Sequence, residues 1–205
     1  MDWSSLWLAA GAASTSGINL YATVLTLGLL QRFHWLKLPG EWRVLGETWV
    51  LGLAALLFLV EFIADKIPFV DSIWDSIHTF IRVPAGAVLM ASAFADLDGS
   101  IRLAAGLLGG GLALTTHGAK ATARLAVNSS PEPFSNIILS VLEDALTVSL
   151  LGLAVTHPWV AGLVLMILLS ICAVVIYTFF KFTKMLLRKL RGSSEGRTAP
   201  SAPSR

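Results

Sequence analysis

Residues 103–127 read LAAGLLGGGLALTTHGAKATARLAV. The run is long enough to cross a hydrocarbon core about 30 Å thick, which takes roughly 20 apolar residues as a helix. It nevertheless carries His117, Lys120 and Arg124. A charge in hydrocarbon costs about 2.5–3.5 kcal/mol on insertion scales, so these side chains must face protein or water. The stretch therefore calls for an all-α bundle with a polar interior rather than a lone anchor.

The whole chain has the matching composition. Of its 205 residues 55% are hydrophobic and only 14% charged, where a soluble domain has roughly 25% charged. Mean hydropathy is +0.73. A free soluble enzyme of this size could not bury so much apolar surface. Extensive disorder is excluded, and so is a disulfide scaffold, since Cys172 stands alone.

Further apolar runs lie at 6–30, 49–60, 83–95, 137–155 and 158–180. With 103–127 they predict about six crossings, the third one short. Glu61, Asp65 and Lys66 close the second run, and Glu143 and Asp144 lie inside the fifth. Pro68 is expected to end the second helix and Pro84 to start or kink the third. Between them Asp71, Asp75, His78 and Arg82 fall on one helical face, with Ile73, Ile77 and Phe80 opposite. That pattern predicts an amphipathic helix lying in the membrane interface or dipping into the protein.

One domain is expected over 1–191, followed by a disordered tail over 192–205. The N-terminal run lacks a basic leader and carries Asp2, so it reads as retained. Six crossings place both termini on one side. The cluster Lys181, Lys184, Arg188, Lys189 and Arg191 assigns that side to the cytoplasm and suits contact with anionic lipids. The loop at 31–48, with three basic residues, then lies outside, against the same rule.

Three collinear matches suggest a duplication, with copies over about 5–97 and 99–180. Ser14-Thr15-Ser16-Gly17 pairs with Thr115-Thr116-His117-Gly118, the run ending at Glu61 with the run ending at Glu143, and residues 85–90 with 161–166. Three spans per copy force the second to insert upside down, an inverted repeat of three plus three. The stripe Ser16, Asn19, Thr23 then corresponds to His117, Lys120, Arg124.

Glu61 and Asp65 share a helical face, as do Lys120 and Arg124. Glu143 and Asp144 point about 100° apart, as neighbours on a helix of 3.6 residues per turn do, and so address different partners. The simplest arrangement brings Lys120 and Arg124 against Glu61, Asp65 or Glu143. Such groups either neutralise one another and fix helix register, line a path for a solute or ion, or snorkel to the headgroups. His117 and His78 read more readily as hydrogen-bonded helix residues than as proton relays. No nucleotide, zinc or Ser-His-Asp signature is present, so neither a cofactor nor a metal is expected.

Two motif blocks carry a resemblance. One runs Glu61-Phe-Ile-Ala-Asp65-Lys66-Ile-Pro68 and on to Asp71, Trp74, Asp75, Thr79, Arg82, Pro84, Ala85 and Gly86. The other is Thr116-His117-Gly118-Ala-Lys120 with Arg124, Asn128, Ser130, Pro131, Asn136, Ser140, Glu143 and Asp144. Over residues 5–180 the chain resembles a bacterial membrane family, domain of unknown function 4126. The resemblance implies a multi-span inner-membrane protein and supplies no substrate.

The leading expectation is a small inverted-repeat transporter or channel-like protein, proton-coupled and open to working as a homo-oligomer. Glu61, Asp65, Lys120, Arg124, Glu143 and Asp144 would line its path, with His117, Ser16 and Asn19 near. The alternative is a non-transporting scaffold or accessory subunit. A lipid-headgroup enzyme using Asp71, Asp75, His78 and Arg82 is the weakest reading, and nucleic acid is not an expected partner.

Overall fold

The computed structural model describes residues 3–39, 41–67, 69–129 and 134–195. Among these residues the chain forms seven α-helices, one short 3-10 helix and no strand. The α-helices are α1 (Trp3–Ile18), α2 (Leu20–Arg32), α3 (Thr48–Ala64), α4 (Val70–Ala93), α5 (Gly99–Val127), α6 (Phe134–Thr156) and α7 (Pro158–Glu195). The 3-10 helix spans Trp42–Gly46.

The first apolar run, expected to be one span, is broken at Asn19. This residue is extended (φ −144°, ψ 101°), and its Oδ1 accepts a hydrogen bond from the Ala22 amide, capping α2. The two helices then point in opposite senses. Trp3 stacks near Trp159, at the start of α7, with ring centroids 6.0 Å apart. Deeper along α1, the Ser14 carbonyl meets Thr116 of α5 and the Ile18 carbonyl meets Lys120. Helix α2 returns: Tyr21 meets His78 in the first half of α4, while Gln31 packs on Gly46. The adjacent Trp42 bonds Leu89 near the end of α4, and the Glu41 amide bonds Ser92. Both ends of the hairpin thus lie at one end of the bundle, here the near end. The 16 and 13 residues of α1 and α2 measure about 24 and 20 Å at 1.5 Å per residue, each short of a full crossing.

The helices α3 to α7 run the whole way. The α3–α4 and α5–α6 connections lie together at the far end, where Asn128 bonds both Asp71 and Asn136. The result is five helices running between the two ends of the bundle plus a helical hairpin, so the first apolar run is two helices rather than one. Trp3 therefore sits at the near end of the bundle, whereas α7 runs from the near end toward the far one. Two helices, α6 and the Pro158–Met185 part of α7, are long and apolar enough to cross a membrane; α3 is apolar but shorter.

A second departure concerns α4. The expected interfacial helix and short third span are one helix of 24 residues with Pro84 inside it. Proline removes one intrahelical bond and crowds the preceding turn, but close packing on α5 holds the helix together. A Cβ on Gly109 would come 2.5 Å from the Gly86 carbonyl oxygen and from Met90 Cβ. The two backbones touch, which only glycine permits at this crossing.

Helix α1 occupies the middle. Every residue from Leu8 to Ile18 is buried, against α4, α5, α6 and α7. Its alanines, glycines and hydroxyls are small enough to allow that approach. Thr15 and Ser16 return their hydroxyls to the Gly11 and Ala13 carbonyls, whereas the buried Ser14 hydroxyl has no hydrogen-bond partner among the described residues. Leu8, Met90, Leu150, Leu151 and Leu165 fill the core around it. Helix α7 continues through Glu195, past the expected boundary at 191, and the remainder of the expected tail lies outside the described residues.

Candidate functional site

Charged side chains converge from α3, α4, α5 and α6 on the tip of the hairpin. Glu61 and Asp65 come from the last turn and cap of α3, and Asp71, Asp75 and Arg82 from one stripe of α4. Lys120 and Arg124 come from α5 and Glu143 from α6. Glu61, Asp71, Arg82 and Arg124 are 0% exposed, and Glu143, the most exposed, only 8%. Of the two placements open to the α4 stripe, the structure has the one that dips into the protein: Asp71, Asp75, His78 and Arg82 form the buried face of α4. An amphipathic stripe reads identically whether its polar side meets water or an equally polar partner helix.

Arg82 clamps two carboxylates with one guanidinium. Nη2 donates to Glu61 Oε1 at 2.7 Å and Nη1 to Asp75 Oδ1 at 2.9 Å. Arg124 donates to Glu143, to the Asp65 carboxylate and to the Asp65 carbonyl oxygen, with Asp71 3.5 Å away. Lys120 sits between the arginines. Its Nζ lies 3.0 Å from both Asp65 Oδ2 and the Ile18 carbonyl oxygen. Glu143, Glu61 and Asp75 stand at 3.4, 3.5 and 3.7 Å from the same nitrogen.

His117 joins through Arg82, whose Nη1 lies 3.1 Å from His117 Nδ1. A guanidinium only donates, so Nδ1 offers its lone pair and the imidazole is neutral with its proton on Nε2. That proton goes to Thr79 Oγ1 at 2.7 Å, and the Thr79 hydroxyl donates to the Asp75 carbonyl oxygen. Asn19 donates to Asp144 Oδ1 at 2.8 Å, so Asp144 and Glu143 serve different partners. Ser16 and His78 stay outside the ion pairs. Ser16 is satisfied within α1; His78 stacks on Trp74 and bonds Tyr21.

Five carboxylates face three cations here, an excess of two negative charges. Glu61 Oε2, Asp65 Oδ1 and Asp75 Oδ2 are buried and accept no hydrogen bond from any described residue. A cavity of about 110 Å³ between α4 and α5, lined by Ser72, Asp75, Ser76, Thr79, Ala121, Arg124 and Leu125, reaches the cluster from outside. At about 30 Å³ per water it holds a few water molecules. Among the described residues no group of His, Cys, Asp and Glu has the geometry to hold a metal.

The cluster is off centre. Lys120 stands seven residues before the end of α5 at Val127, about 10 Å from the far end. Tyr21 and Lys66 had no assigned part in it. Lys66 Nζ bonds the Phe62 carbonyl and Ser140 and rests on the Phe62 ring. Thr79 lies at i+4 from Asp75 and i−3 from Arg82, a spacing that could have placed it on the stripe. Tyr21 left no signal in an apolar run.

The sequence model of the family described as Domain of unknown function (DUF4126) matches residues 6–178. The chain belongs to the DUF4126 family. The match covers the hairpin, α3 to α6 and the apolar part of α7, and with them every member of the charged cluster. No curated protein and no solved structure matches the chain.

Proposed function

We propose that the chain is a small multi-pass membrane transporter or channel-like protein that moves a small solute or ion with proton coupling, in a bacterial inner membrane. The buried cluster carries this reading. Eight ionisable groups shielded from solvent are costly in a membrane unless they face one another or a path, and the excess of carboxylates gives them a preference for positive charge. The exterior suits a bilayer: Leu53, Leu56, Leu107, Leu163 and Val174 are all at least half exposed. The small cavity favours an ion or proton over a larger solute.

An inverted repeat belongs to the proposal in a reduced form. Helices α3 and α6 run in opposite senses, as do α4 and α7, and two of the three sequence matches fall on these pairs. Glu61 and Glu143, the matched acids, flank Lys120 at 3.5 and 3.4 Å. The third match falls on α1 and α5, which run parallel, so the hairpin is an addition to the repeat rather than its first member. The basic end of α7, where Lys181, Lys184 and Arg188 are exposed, favours a cytoplasmic far end in contact with anionic lipid.

Flux in proteoliposomes, measured for protons and alkali cations, tests the reading. Glu61→Gln and Glu143→Gln are each expected to abolish it while the protein still elutes as one folded species. Undiminished flux in both variants and in the double variant would overturn it. A second reading, a non-transporting scaffold or accessory subunit, is favoured by the density of pairing: each cation is held by at least two acids. It expects a stoichiometric partner on purification and no flux under any gradient.

A further inference from the structure

We infer that Glu61 is a proton-binding site, loaded from water through the α4–α5 cavity by way of Asp75 and Lys120. This deepens the transport reading and rests on it for its purpose, but its test needs no flux.

Three observations lead here. Two negative charges remain in excess among side chains at most 8% exposed, and His117 is held neutral by the Arg82 guanidinium at its Nδ1. A buried uncompensated charge is expensive, and the group takes up a proton instead. Glu61 is the fitting receiver: it is fully buried, its Oε2 has no partner among the described residues, and Arg82 alone donates a hydrogen bond to Oε1. The equally buried Asp71, by contrast, has its Oδ1 held by the Ser72 amide and Asn128. Around Glu61 stand Arg82 and Asp75 from α4, Lys120 from α5, Asp65 from α3 and Tyr21 from α2, with His117 of α5 behind Arg82 and Glu143 of α6 behind Lys120. Asp75 lines the water-sized cavity, beside the hydroxyl-bearing Ser72, Ser76 and Thr79.

The transfer balances. A hydronium in the cavity gives its proton to the Asp75 carboxylate, forming an O–H bond and leaving water. Lys120 Nζ, 3.5 Å from Glu61 Oε1, loses a proton to it: an N–H bond breaks and an O–H bond forms. The neutral amine then takes the proton from Asp75, 3.7 Å away. Asp75 is again a carboxylate, Lys120 again an ammonium, and Glu61 is the carboxylic acid.

Infrared spectroscopy of the purified full chain in lipid nanodiscs reads this directly. At neutral pH the wild type is expected to show the carbonyl stretch of a protonated carboxyl, shifting in heavy water and shifting again when glutamate carries a 13C label at its side-chain carboxyl. Glu61→Gln is expected to lose the band. Ala121→Leu, which fills the cavity, is expected to keep the band and slow its exchange with heavy water. Absence of the band in the wild type, a band that ignores the glutamate label, or one that survives in a folded Glu61→Gln variant would each overturn the inference. So would stabilisation by sodium or potassium over choline at equal ionic strength with no band, which assigns the missing charge to an alkali cation. A band with no flux leaves this site standing and removes the transport reading.

Discussion

Arg124 shows what a single residue does in this interior. Its Nη1 donates to the Asp65 carbonyl oxygen and its Nη2 to both the Asp65 and Glu143 carboxylates, with none of its side chain exposed. The fork is a donor array that a lysine cannot copy. Removing one member of a buried ion pair strands the other, at about 3–5 kcal/mol. Arg124→Met is therefore expected to lower stability by that amount in denaturant titrations in detergent. A cost below about 1 kcal/mol, the range of exposed pairs, would show that the site is wetter than its burial implies. The individual acids and bases were legible in the sequence because hydrocarbon makes them conspicuous. Their partners were only half legible: Lys120 with Asp65 follows from facing stripes, but the share taken by Asp75 and Arg82 required knowing that α4 lies inside.

At the scale of elements, close approach governs. A Cβ on Gly17 would overlap Thr116 Oγ1 and the Ala113 carbonyl oxygen, whereas one on Gly111 would meet nothing within 4 Å. Gly17→Ala is expected to cost about 1–3 kcal/mol by overpacking. Gly111→Ala should stabilise by up to about 1 kcal/mol, the helix-propensity gain. Thermal unfolding of the two variants side by side checks the contrast, and equal shifts would remove it. The α5 N-cap offers a pH test outside the bundle. Asp98 accepts from the Ser100 hydroxyl and amide, which hold its carboxyl below the usual carboxylate range. Its capping is therefore complete above the ordinary carboxylate pKa and is lost as pH falls through the depressed value. Amide exchange at Ser100, referenced to its intrinsic rate, should lose protection only in that acid range. Element boundaries were readable where proline, asparagine caps or charge punctuate the chain. The break at Asn19 was not read, because an asparagine amid apolar residues gives the same pattern in a kinked span and in a reversal.

For the whole molecule, topology is the discriminating quantity. With Cys172 replaced, cysteines at Trp3 and Trp35 should react with an impermeant reagent from the same side of sealed vesicles. A cysteine at Lys184 should react from the other. Labelling of positions 3 and 184 from one side would restore six crossings and refute the hairpin. All-helical character and an ionisable interior could be read from composition and spacing. The hairpin could not, since 25 apolar residues suffice either to form one long helix or to fold back as two short ones.

The hairpin also bears on biosynthesis. The polar atoms that receive α1 and its tip, Thr116, Lys120 and Asp144, are supplied by α5 and α6, about 100 residues downstream or more. During translation α1 emerges long before any of them exists. Its small, hydroxyl-rich surface has no finished cleft to enter until the ribosome has passed the middle of the message. Helix α1, made well before α5 and α6, is thus among the last elements to settle, and truncations ending before α5 should leave it exposed to quality-control proteases.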